Sequence, residues 1–426
     1  MKSIILQQRE ERDFLLAKPY QSRVVAEDAS VYLKTQLIKL ITGPRRAGKS
    51  VFALQILASE NFAYLNFDDE RLLNEFDEDV IVQLLMEVYP DFNYLLLDEI
   101  QNLNNWELWI GKLYRRGYNL VITGSNAKLL SSEIATVLTG RYLQIEILPF
   151  GFTEILSYKG FEVSMETPKK KAELLLHLDD YMTYGGFPET LLLREITRNY
   201  LSDLFDAILL KDVSKRYKVR RNEDLIRLSN YLLANYTNPF SFNELSNELN
   251  LGSVNTVQKY CGYLADTYLF FYLPRYNNKL KRMQKSPQKI YVVDTGFLLR
   301  SFQTSPNKGR MLENLVFIEL IRRGFSTEQS IFYYRTKNDK EIDFVCRKGH
   351  QVDQLIQVSY DVSQTKTLER ELAALVEASK ELNCDNCLIL TWDDAREIEY
   401  KALKITLKAV SEWLLDIEVV RKLVGS

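Results

Sequence analysis

The clearest chemical content lies in eight consecutive residues, Gly43, Pro44, Arg45, Arg46, Ala47, Gly48, Lys49 and Ser50, with Val51 behind them. They form the pattern GxxxxGKS. Glycines at these positions let successive backbone N–H groups curl around a phosphate at the start of a helix, where the peptide dipoles also favour an anion. Lys49 adds a point charge for the terminal phosphates, and Ser50 offers a hydroxyl to Mg²⁺. Residues 43–51 are therefore expected to hold ATP with Mg²⁺. Asp98 and Glu99 close the apolar run that begins at Tyr94. Asp98 is the expected metal partner through water, and Glu99 the expected base for the attacking water. Ser125 and Asn126 follow a third apolar run. They suit sensing of the γ-phosphate or of that water, and they equally suit capping the next helix. Arg141, just before another strand, can neutralise charge on the transferred phosphoryl group, in its own or a neighbouring copy of the chain, or serve as a surface ion-pair residue.

Such residues need a sheet to position them. Leu37–Thr42 reads as a buried strand running into the glycine loop, and Val51–Leu57 as the helix after it. Tyr94–Asp98, Asn119–Thr123 and Leu143–Leu148 read as further strands. The run from Tyr94 is continuously apolar up to its acids, the pattern of a central strand in a parallel sheet covered on both faces. In such α/β folds ligands gather at the C-terminal edge of the sheet, where the polar ends of these runs fall.

The chain has 426 residues, 46% hydrophobic and 26% charged, which suits two to four globular domains at roughly 100 to 200 residues each. No run approaches the roughly 18 apolar residues of a membrane span, and the opening MKSIILQQREERD turns charged before a signal-peptide core develops. A cytoplasmic protein without a membrane partner is expected. Two histidines and four cysteines argue against a multi-imidazole zinc site or a disulfide framework. Cys384 and Cys387 read as small residues at the start of a strand.

Charge is segregated. Residues 211–289 hold 14 Lys plus Arg and 6 Asp plus Glu, a net of +8, which leaves −10 for the rest of a chain whose total is −2. Apolar spacing predicts helices over 224–235, 241–249 and 254–264. Strands over 268–273 and 279–285, paired around Asn277 and Asn278, would complete a winged helix-turn-helix. Its third helix would present Asn255, Thr256, Gln258 and Lys259 to a groove, and its wing Lys279, Lys281, Arg282 and Lys285 to phosphates. DNA is the favoured partner, and a protein partner is the alternative, since such modules also dock proteins.

The set ITGPRRAGKS, LLLDEIQ, ITGSNAKLL, LTGR and LPFGFTE, continued by GGFPE at 185–189, YVVDTGFL at 291–298 and EIDF at 341–344, resembles the AAA-type P-loop ATPases of bacteria and archaea that carry a C-terminal domain of unknown function. The resemblance covers most of the chain. It implies an ASCE-type ATPase core over 1–150, a helical lid over 151–222, the winged helix over 223–289, and a domain related to the PD-(D/E)xK (restriction-endonuclease-like) nuclease fold over 290–426.

In that last domain the apolar pattern gives a helix over 310–323, three strands, a helix and a strand, the order the resemblance implies. Metal-dependent hydrolysis there needs carboxylates for Mg²⁺ and a lysine beside the nucleophilic water. Glu313 and Asp343 fit two acidic positions. The third strand, however, places Gln357 and Ser359 where an acid and a lysine are needed. A retained fold without nuclease activity is expected.

Overall fold

In the computed structural model, the described residues are 1–126, 138–163, 167–277, 279–283, 285–301 and 307–416. The four expected strands and a fifth that was not expected, Phe62–Asn66, form a parallel sheet of β1 (Ile38–Thr42), β2 (Phe62–Asn66), β3 (Tyr94–Asp98), β4 (Leu120–Gly124) and β5 (Tyr142–Glu146), in the order β2-β3-β4-β1-β5. Every residue of β1 and of β4 is buried, as strands covered on both faces require. Because β4 lies between β1 and β3, the glycine loop and the acid pair flank the end of β4. This is the strand order of an ASCE-type P-loop sheet. The helix α1 (Lys49–Leu57) follows the loop and buries Phe52, Ala53, Leu54 and Leu57. Of the motif ITGSNAKLL, the portion from 127 onward lies outside the described residues.

The chain divides into two compact units, Met1–Phe150 with Asp266–Tyr268, and Gly151–Ala265 with Leu269–Ser426. The first contains the parallel sheet. In the second, Gly185 and Gly186 meet Asp294 of the YVVDTGFL run. Asp294 Oδ2 accepts the Gly186 N–H at 2.7 Å and Oδ1 the Gly296 N–H at 2.9 Å. A Cβ on Gly185 would fall 1.6 Å from Asp294 Oδ1, so only glycine fits. Two motifs far apart in the sequence thus serve one structural contact.

Further along come α2 (Asn222–Ala234), β6 (Pro239–Phe240), α3 (Phe242–Glu248), α4 (Val254–Asp266), β7 (Phe270–Pro274) and β8 (Gln288–Val292), with an antiparallel sheet in the order β6-β8-β7. The second strand of the hairpin is therefore 288–292, and the expected strand at 279–285 is corrected. Leu280–Met283 is a short helix instead, and Asn278 lies outside the described residues. Period-2 alternation is absent from 279–285, whereas Lys289–Val292 is buried throughout. Dividing the chain at 289–290 would also cut β8 in two.

The remainder holds α5 (Lys308–Arg322), β9 (Ile331–Arg335), β10 (Glu341–Lys348), β11 (Gln351–Ser359), α6 (Thr365–Leu382), β12 (Cys387–Thr391), β13 (Arg396–Tyr400) and β14 (Leu403–Ala409). Its six strands are ordered β13-β14-β12-β11-β10-β9. The last hairpin goes beyond the predicted order. Its solvent-facing polar residues, such as Arg396 and Glu397, dilute the apolar signal of β13. All four cysteines are buried and free. Among the described residues, no helix is long and apolar enough to cross a membrane.

Candidate nucleotide site

The site begins where β1 ends. Gly43 has φ +141°, and a Cβ there would lie 2.0 Å from the Ile147 carbonyl oxygen, so only glycine lets the loop pass this close to the segment after β5. Gly48 is left-handed at φ +91° and turns the chain into α1. Between them Pro44 and Ala47 are buried, Arg45 is half-buried, and Arg46 is exposed. Buried Arg23 supports the loop from below: it donates to the Ala47 carbonyl at 3.2 Å and to that of Leu148, with its guanidinium over the Phe150 ring at 4.5 Å. Nothing in the local sequence of Arg23 marks it for this place.

Lys49 and Ser50 open α1, with Val51 half-buried behind them. Lys49 is 3% exposed; its ammonium donates to the Pro44 carbonyl at 2.9 Å and lies 4.0 Å from Glu99 Oε1. Ser50 Oγ donates to Asp98 Oδ1 at 2.8 Å. The same carboxylate accepts from Thr123 Oγ1 on β4 and, at 3.4 Å, from the Tyr64 hydroxyl on β2. Glu99 leaves β3 in a left-handed conformation, φ +52°, and its N–H donates to Thr123 Oγ1 at 3.0 Å. Gln101 donates to the Glu99 carboxylate and, at 3.4 Å, to Ser125 Oγ. Burial first, then the Glu99 charge, push the Asp98 carboxyl up to about 6, against the Thr123 and Ser50 bonds and the Lys49 charge.

The loop and the two acids thus converge from separate elements, as expected. Ser50 Oγ and Asp98 supply hard oxygen donors side by side, which fits Mg²⁺, and Lys49 supplies charge for phosphate oxygens. Ser125 and Asn126 are both buried just after β4, on the same edge. Arg141 is not brought there. Its carbonyl accepts the Ile38 N–H at 2.8 Å at the start of β1, one full strand away from the loop, and its guanidinium lies 5.7 Å from the Tyr114 ring centre. Arg141 is therefore not among the residues brought together at its own chain's loop, and the expectation of a role there is corrected. Sequence reasoning missed Thr123, Tyr64 and Gln101 as site residues. Thr123 alone carried a signal, as the polar end of an apolar run.

In the second unit, Asn255, Gln258 and Lys259 are exposed along α4, and Thr256 is half-buried. Ser253 Oγ accepts the Thr256 N–H at 3.2 Å at the start of that helix. Lys279, Lys281, Arg282 and Lys285 are exposed between β7 and β8. An open cleft of about 490 Å³ lies beside the start of α4, lined by Lys218, Arg220, Arg221, Ser253 and Thr256. Tyr217 and Tyr263 also line it and stack at 4.0 Å, 5° from parallel.

Glu313, Asp343 and Gln357 also come together, on α5, β10 and β11. Glu313 and Asp343 share a partner, Lys289 of β8, at 2.9 and 3.1 Å. Gln357 accepts the Asp343 N–H at 3.2 Å and donates to Glu371 at 2.6 Å. Ser359 Oγ donates to the Asp361 carbonyl at 3.4 Å. Among the described residues, no group of three or more His, Cys, Asp and Glu side chains is arranged to hold a metal ion.

Comparison with known proteins is consistent with this layout. An AAA domain family matches residues 35–156, and two domains of unknown function, DUF8612 and DUF4143, match 175–308 and 308–407. The uncharacterized protein MJ1544 of Methanocaldococcus jannaschii is 38% identical over 88% of this chain and 86% of its own length. An uncharacterized protein of Haemophilus influenzae is 34% identical over 78% of this chain and 84% of its own. Among solved structures, the Walker-type ATPase PABY2304 of Pyrococcus abyssi aligns with a TM-score of 0.43 and 14% identity, covering 67% of this chain and 99% of that one. With an AAA domain at its start, DUF4143 at its end and MJ1544 aligned along most of its length, the chain belongs to the family of AAA-type P-loop ATPases that carry a C-terminal DUF4143 domain.

Proposed function

We propose that the chain is a Mg²⁺-dependent ATPase whose nucleotide state governs binding or remodelling of nucleic acid, DNA in particular and branched DNA among its forms. The ATPase half rests on the convergence of Ser50, Asp98 and Thr123 beside Lys49 and Glu99. In this reading the N–H groups of residues 43–51 cradle the phosphates, and Ser50 and Asp98 hold Mg²⁺. The metal, when bound, neutralises phosphate charge. Lys49 leaves Pro44 for the phosphate oxygens, Glu99 takes a proton from the attacking water, and Ser125 or Asn126 orients that water. Arg141 acts on the site of a neighbouring copy.

The nucleic-acid half rests on the cleft where Lys218, Arg220 and Arg221 meet the start of α4. Cations and helix N–H groups suit phosphates, and the tyrosines suit bases or sugars. The order of three helices and a three-stranded sheet supports a winged-helix module, with Asn255, Gln258, Lys259, Lys279, Lys281, Arg282 and Lys285 available as contacts. A second reading, a nucleotide-gated scaffold for a protein partner, draws on the exposed Leu192, Leu193 and Ile196. ATP turnover measured without nucleic acid, with single strands, with duplex and with a four-way junction separates the two. Stimulation by DNA is the expected result. Unchanged turnover and no binding would discard the first reading in favour of the second.

A further inference from the structure

Nuclease-like folds use their acidic pocket to hold a divalent ion, yet the pocket in this chain already contains a cation. The Lys289 side chain is 1% exposed, and its Nζ lies 2.9 Å from Glu313 Oε1, 2.8 Å from Glu341 Oε1 and 3.1 Å from Asp343 Oδ1. Three N–H bonds thus face three carboxylates, from α5 and β10. Tyr291, two residues along β8, donates to Glu313 at 2.8 Å, and the Val358 N–H donates to Asp343 Oδ2 at 2.9 Å. Arg335 adds a second cation 3.3 Å from Glu341.

A lysine that steadies a nucleophilic water must leave the carboxylates free for the metal. Lys289 does the opposite, because it stands between them. Nor is its strand free to withdraw, since β8 is hydrogen-bonded on both sides by β6 and β7. The remaining candidate ligand, Gln357, has its amide committed to Asp343 and Glu371. These residues do not fit a bound divalent ion.

We propose that Lys289 is the resident cation of this pocket, filling the position a divalent ion would occupy, so that the domain keeps a nuclease-like fold without metal-dependent cleavage. Removing the ammonium uncovers a cation site formed by Glu313, Glu341 and Asp343. Burial alone would lower the Lys289 pKa, but Glu313, Tyr291, Asp343 and Glu341 outweigh it and keep the ammonium charged.

The test is Mn²⁺ binding to the full chain without nucleotide, followed by electron paramagnetic resonance and thermal unfolding. Only binding that disappears on Asp343→Asn is counted, which sets aside any ion near Ser50 and Asp98. The wild type should show no such binding, and Lys289→Met should melt lower and recover on binding one added equivalent. Because three uncompensated carboxylates can prevent folding, Lys289→Met combined with Glu313→Gln and Asp343→Asn provides a second arm. That variant should fold and ignore Mn²⁺. Asp343-dependent Mn²⁺ binding by the wild type would overturn the proposal. So would a folded Lys289→Met that binds none, or failure of the charge-neutralised variant to fold.

Discussion

A lysine that holds phosphate and a glutamate that takes a proton fail differently when replaced. Lys49→Ala should abolish binding of a fluorescent ATP analogue, since it removes the buried ammonium at the start of α1. Glu99→Gln should bind the analogue normally and lose turnover by on the order of 10²-fold or more, measured by phosphate release. Unchanged turnover would remove Glu99 from its role. These residues were legible in the sequence because a phosphate loop is contiguous and its spacing is set by the ligand. The contacts of Thr123 and Tyr64 with Asp98 were not, because they arise only when β2, β3 and β4 lie side by side in register. Lys289 was hidden for the same reason. Its carboxylate partners Glu313, Glu341 and Asp343 lie between 24 and 54 residues away, and it sits on β8 rather than on β11, where the pattern expects a lysine.

At the scale of elements, the Gly185–Asp294 contact governs how the second unit closes. Gly185→Ala should cost at least about 2 kcal/mol in urea unfolding, because the new methyl meets a carboxylate oxygen and the residue's φ is +74°. Burial raises the Asp294 carboxyl from 3.8 to about 6, against the bonds from the Gly186 and Gly296 N–H groups and the charge of Arg322. A carboxyl raised by folding contributes its stability below its unfolded pKa and loses it as pH rises through the folded one. About two units correspond to roughly 3 kcal/mol between about pH 4 and pH 7. The stability of the wild type relative to Asp294→Asn should therefore fall across that window, and a constant difference would contradict the assignment. Helices and buried strands were legible from apolar spacing. The wing strand was misplaced because the basic run 279–285 lacks the alternation that fixes a register, whereas 289–292 is buried throughout.

At the scale of the molecule, the basic middle offers fewer free charges than its count suggests. Lys289 is enclosed by acids, and Arg221 and Arg227 both approach Asp224. With roughly five exposed cations meeting phosphates, the log–log salt slope for duplex binding should be about −4 to −5, and a flat response would argue against a phosphate interface. Arg141 invites a mixing experiment. Arg141→Ala and Lys49→Ala chains, each inactive alone, should regain ATP turnover together if an intact site forms between copies, and no recovery would confine Arg141 to a surface role. Finally, the Asp294 bond to Gly186 spans 108 residues. On the ribosome, at roughly 5–20 residues per second, the first helices of the second unit wait about 5 to 20 s for the segment that locks them. Newly made chains therefore pass through an interval in which this unit is unfinished, and that interval is when chaperones would engage them.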